Sequence, residues 1–102
     1  MKPEIRNELE SMRSKYETCS YKEVQFEDWI VLDSIKIEGK KYWPAIWSHQ
    51  RPDDSWLVTV QLTRWLFFKT FGTTDCIGIL FHPSGEKELV DENFLMNEVG
   101  HP

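Results

Sequence analysis

At 102 residues, with 12 Lys and Arg against 17 Asp and Glu and a net charge of −5, the chain has room for one domain, residues 1–102, and no linker. The negative balance excludes generic binding to phosphate backbones and makes an anionic membrane a poor partner. The longest apolar run, CIGILF at residues 76–81, is far shorter than the ~20 residues that cross a bilayer.

The first segment, KPEIRNELESMRSKY, puts Pro3 at a first helical turn and places Ile5, Leu9, Met12 and Tyr16 on one narrow stripe, which predicts a helix of about three turns. Such a helix is marginal alone and needs a sheet to lie on. The opening is charged and helical in pattern, unlike a signal peptide. Cys19 and Cys76 lie far apart without CxxC or ligand spacing. The expected location is cytoplasmic, with both thiols reduced.

After ETCS the pattern alternates. Val24 and Phe26 among charged residues predict a short strand at 22–26. The run WIVLDSIKIEG predicts another strand ending in a hairpin turn at Glu38 and Gly39, which leads into KKYWPAIWSH. Pro44 cannot donate to a ladder, so this third run is expected at an edge or at a bulge. RPDDS then reads as a turn. In SWLVTVQLT, Trp56, Val58, Val60 and Leu62 face one way and Leu57, Thr59, Gln61 and Thr63 the other.

Continued alternation would bury Arg64 and expose Trp65 and Phe67, so a bulge or strand end is expected at 63–65, with Phe68 or Phe71 turned inward. GTTD reads as a loop with Gly72 able to take positive φ, and CIGILF as a central strand covered on both faces, closed by the HPSGE turn. Leu89 and Val90 continue a hairpin. Asp91 is a candidate cap for a short helix carrying Phe94, Leu95 and Val99. One helix followed by strands on short turns predicts an α+β fold: an antiparallel sheet of about five strands, with the N-terminal helix and a short C-terminal helical segment packed on it.

Catalytic patterns are sparse. Cys76 beside Asp75 invites a thiol-dependent enzyme, which would need His49 within reach, because His82 lies about six residues along the same strand. The ordinary role of a cysteine opening an apolar strand is core packing. His49, His82, Asp53, Asp54 and Asp75 lack the close spacing of a metal site, and GTTDCIG lacks the lysine and helix of a phosphate loop. No cofactor is implied. Asp28 and Asp33 are the acids expected to be half-buried in structural hydrogen bonds.

The aromatic residues carry the remaining signal: five of them are Trp, and each ring brings about 150–250 Å² of surface to be placed. Trp43 and Trp47 share a face of one strand, and Arg64, Trp65 and Phe67 follow the central strand. They either fill a small core or form a binding surface, since Trp, Tyr and Arg dominate interface energies. In size, acidity and lack of a catalytic constellation the chain resembles small bacterial cytoplasmic proteins that bind other proteins, immunity proteins among them. That resemblance rests on general character, without matched motifs. It implies noncatalytic interaction with a protein partner of basic balance, or with a second copy in a homodimer. The alternatives are a small-ligand or peptide groove walled by Trp43, Trp47 and Trp65, and the thiol enzyme.

Overall fold

The structure, a computed structural model, describes residues 1–66, 71–91 and 95. Helix α1 (Pro3–Ser14) is followed by β1 (Trp29–Val31), β2 (Ile35–Ile37), β3 (Lys40–Gln50), β4 (Trp56–Leu66), β5 (Phe71–Phe81) and β6 (Lys87–Val90). All pairings are antiparallel, in the order β1-β3-β4-β5-β6, with β2 also on β3. The α+β reading therefore holds: one N-terminal helix lies on an antiparallel sheet.

Helix α1 starts at Pro3 and carries Glu4 in its first turn and Arg13 in its last, both favourable to the helix dipole. Its stripe of Ile5, Leu9 and Met12 is buried against Val58, Val60 and Leu62 of β4 and Ile77, Ile79 and Phe81 of β5. Each such side chain contributes about 1.5–3 kcal/mol on burial. This apolar face of the sheet holds most of the core.

Residues 22–26 do not form the expected strand. The Ser20 amide donates to the Glu23 carboxylate at 2.8 Å, and the Glu23 amide donates back to Ser20 Oγ at 3.2 Å. This capping box commits residues 21–24 to a hydrogen-bonded turn. Val24 is then buried, and its carbonyl accepts a hydrogen bond from Ser48 Oγ. Asp28 and Asp33, expected to be half-buried, are exposed.

The turn at Glu38 and Gly39 is a two-residue hairpin with both φ values positive, 52° and 76°, which matches the twist of the flanking strands. RPDDS and HPSGE build two further hairpins on a common plan. Arg51 bonds Ser55 and His82 bonds Glu86 across the loop, with Pro52 and Pro83 leading and Asp54 and Gly85 in positive φ.

Two expectations fail in the sheet, and of the two alternatives for β3 the edge is not taken, because β1 and β2 cover its far side. No break occurs at 63–65: β4 pairs with β5 without a slip from Trp56↔Phe81 to Leu66↔Phe71. Gly72–Asp75 are strand residues, not a loop, and Gly72 does not take positive φ. Arg64 accordingly falls on the helix side of the sheet and remains partly exposed.

The Pro44 expectation is met by a bulge in its neighbour. Pairing runs Val31↔Ala45 in β1 and Ile35↔Tyr42 in β2, so Leu32, Asp33 and Ser34 stand against Trp43 and Pro44 alone. The Leu32 amide donates to the Pro44 carbonyl at 2.9 Å. Amide and carbonyl of one strand residue point to the same edge, so the donor that Pro44 lacks would have pointed into this bulge, and the ladder to β4 loses nothing. The C-terminal helix falls outside the described residues apart from Leu95, whose amide bonds the Asp91 carbonyl at 3.2 Å and whose side chain is buried on Leu57, Leu80 and Val90. The expected inward turn of Phe68 or Phe71 also lies outside what is described.

Leu9→Ala, at a fully buried position between helix and sheet, is expected to cost about 2–5 kcal/mol in urea denaturation. Acid should also destabilise the fold. Glu23 is held below the ordinary carboxylate value by the amide and then the hydroxyl of Ser20, and Asp53 by the hydroxyl and then the amide of Ser55. A depressed carboxylate contributes stability above its unfolded value and loses it as pH falls through its folded value. Denaturation midpoints should therefore drop below about pH 4, and less steeply in Asp53→Asn.

Candidate functional site

Alternation divides the sheet into the face under α1 and an opposite face whose residues line up in rows across the strands. One row reads Trp29, Trp47, Thr59, Gly78, Val90. The next reads Val31, Ala45, Gln61, Cys76, followed by Trp43, Thr63, Thr74 and then Trp65 with Gly72. On the other side of the first row lie His49, Leu57, Leu80 and Glu88.

Four of the five tryptophans stand on this face; Trp56 belongs to the core under α1. The Ser48 amide bonds the Asp28 carbonyl at 3.1 Å, which makes Trp29↔Trp47 a non-hydrogen-bonded pair, the closer kind. Their rings lie 5.5 Å apart at 48°, and Trp47 stacks on His49 at 4.3 Å and 24°. Lys41 Nζ stands 5.3 Å from the Trp43 ring. Trp29 and Trp65 remain 47% and 45% exposed, and Val31 63%.

Trp65 is held by the strand opposite. A Cβ built on Gly72 would sit 2.5 Å from the Arg64 carbonyl oxygen and 3.1 Å from Trp65 Cε3, so the indole lies over the space that glycine leaves. The ring shields a weak strand position and is itself fixed in place. Beside it, Thr63 and Thr74 share a hydrogen bond of 3.0 Å. Trp43 and Trp47 stand about 13 Å apart along β3 with Ala45 as the floor between them.

Charge is distributed unevenly. The face carries Lys36 and Lys41, and among the described residues of β1 to β5 it carries no carboxylate; on β6 it carries Glu88. Its far end is closed by Leu95 on Leu57, Leu80 and Val90, with Cys76 packed alongside.

Of the sequence-derived candidates, Trp43, Trp47 and Trp65 share this face, Arg64 lies on the opposite one, and Phe67 is outside the described residues. Trp29 and Val31 were missed. Counting back from the Glu38–Gly39 turn without a bulge pairs Trp29 with Ser48 and sends it to the helix side; the extra residue at 32–34 moves it opposite Trp47. Cys76 and His49 are on the same face but two strands and four residues apart, about 16 Å, which is beyond hydrogen-bond reach. Among the described residues no cluster of three or more His, Cys, Asp or Glu side chains could hold a metal, and no helix is long and apolar enough to cross a membrane. Comparison with family models, curated proteins and solved structures finds no match.

Gly72→Ala should destabilise the protein by about 1–3 kcal/mol, because the added methyl meets backbone. An unchanged urea midpoint would contradict the Trp65–Gly72 pairing.

Proposed function

We propose that the protein works by noncatalytic protein–protein interaction through the tryptophan face of its sheet, as an immunity-like or regulatory partner of another cytoplasmic protein. The observation that carries this reading is the placement of Trp29, Trp43, Trp47 and Trp65 on the face that α1 leaves uncovered, with Trp29 and Trp65 nearly half exposed. Indole rings are costly to leave in water and are the side chains that anchor interfaces. A fold this small had the option of placing them under the helix, where Trp56 and Phe81 stand among the aliphatic residues of β4 and β5 instead.

The polar residues between the rings suit the same role. Thr63, Thr74, Gln61 and His49 supply hydrogen-bonding groups around apolar anchors, the usual composition of a non-obligate interface. The net charge of −5 favours encounter with a partner of basic balance.

A double Trp29→Ser, Trp65→Ser variant tests the reading. Affinity capture from the source cell should recover a stoichiometric protein with the wild type and at least tenfold less with the variant, while circular dichroism stays unchanged. A folded double variant that captures the same protein equally well would overturn the reading. A wild type that sediments as a dimer, and as a monomer in the variant, would make the partner a second copy.

A further inference from the structure

Resting on the reading of a noncatalytic interaction protein, we infer that β1 is a docking edge for an extended strand of the partner, apolar in its centre and basic at its flanks. The Asp28–Ser48 and Leu32–Pro44 hydrogen bonds turn the backbones of the even-numbered residues toward β3. Trp29 and Val31 therefore turn theirs outward. Neither the amide nor the carbonyl of Val31 has a ladder partner among the described residues; the Trp29 amide is held by the Asp28 carboxylate at 2.7 Å. These are the groups that β-augmentation uses.

The guard that β1 lacks is lysine or proline within its span; the strand is three residues long and ends at the bulge at 32–34. Exposed strand edges are normally blunted by lysine, proline or bulges. On β2 the residue turned outward is Lys36, and on β6 they are Lys87, whose Nζ reaches the Glu17 carbonyl at 2.7 Å, and Leu89. On β1 the outward residues are Trp29 and Val31, followed by Leu32, which is 43% exposed. An incoming strand would cover Trp29 and Val31 on one face of the sheet and Ile30 and Leu32 on the other, and it would extend the tryptophan row outward.

Charge selects the occupant. Exposed Glu27 and Asp28 precede the apolar run and exposed Asp33 follows it. A second copy paired antiparallel about Ile30 would set Glu27 against Asp33 at both ends, a like-charge contact that costs affinity. A strand with Lys or Arg at its ends meets opposite charge at both, and its ammonium or guanidinium takes the Asp28 carboxylate that now covers the Trp29 amide.

Two synthetic peptides test this, Lys-Lys-Val-Thr-Val-Thr-Val-Lys-Lys and its counterpart with Glu at the four flanking positions, titrated by calorimetry and tryptophan emission. The basic peptide should bind at least tenfold more tightly than the acidic one. Val31→Pro removes an outward donor without breaking a bond to β3, and Val31→Lys supplies the guard present on β2; each should weaken the basic peptide at least tenfold. Glu27→Lys combined with Asp33→Lys should reverse the preference. If neither peptide binds, or if both Val31 variants bind like wild type, the edge proposal falls while the tryptophan face remains testable by the Trp29→Ser, Trp65→Ser capture. A wild-type dimer abolished by Val31→Lys would overturn it in favour of a second copy.

Discussion

The uninterrupted pairing of β4 with β5 is the constraint on which the other features depend. It runs from Trp56↔Phe81 to Leu66↔Phe71 without a slip. A shift of one residue would exchange the two faces of either strand. Because none occurs, Val58, Val60, Leu62, Ile77 and Ile79 all meet α1, and Thr59, Gln61, Thr63 and Trp65 all look the other way. The ladder assigns the core and the tryptophan face in a single step. Gly72 and Gly78 serve it by their lack of a Cβ, which would stand 2.5 Å from the Arg64 carbonyl oxygen in one case and 2.7 Å from the Val58 carbonyl oxygen in the other.

At the opposite margin of the sheet the chain does the reverse and breaks its own alternation. Ile30 and Ile35 differ by an odd number, so an unbroken strand would turn one of them away from the core. The extra residue among Leu32, Asp33 and Ser34 resets the phase, so Ile30 stands opposite Ile46, and Ile35 opposite Tyr42, on the same face. Pro44 sits where the reset occurs and withholds the donor that a continuous ladder would need. The bulge thus makes two short strands from one run, and it also sets Trp29 beside Trp47.

Sequence pattern reveals the elements governed by local rules. The helix stripe, the Glu38–Gly39, RPDDS and HPSGE turns and the two faces of β4 follow from periodicity and turn chemistry, and all of them are present. What it conceals depends on nonlocal pairing. The apolar density after Thr63 looks like a conflict that a strand must escape, but Thr63, Trp65 and the glycine opposite resolve it by putting a large ring over an empty position. Arg64 reaches the helix side only where the core is giving way to solvent. At 22–26 the difference is of another kind: Val24 and Phe26 alternate, yet the four residues SYKE form a capping box, and two side chain to backbone bonds outweigh a weak period-two signal. Of the candidate site, the Trp43 and Trp47 pairing was legible from their spacing on β3. The contribution of Trp29 was not, since it depends on a bulge that no local rule locates.

The distribution of charge opposes contact between copies of a chain with so much exposed indole. An apolar face of this kind is an aggregation hazard when copies meet freely. The carboxylates are kept off it from β1 to β5, while the molecule as a whole carries −5, so copies repel at the range of about a Debye length, ~8 Å at physiological salt, before the faces touch. The repulsion acts on self-association and on other acidic proteins alike. The proposed partner of opposite sign would be drawn through the same field and would meet a surface whose rings are already held, Trp47 between Trp29 and His49 and Trp65 over Gly72. Rings fixed before contact lose little further rotamer freedom on binding, so their burial is offset by less ordering entropy than mobile side chains would incur. Holding the tryptophans against the sheet therefore serves the fold and the proposed interface by the same contacts.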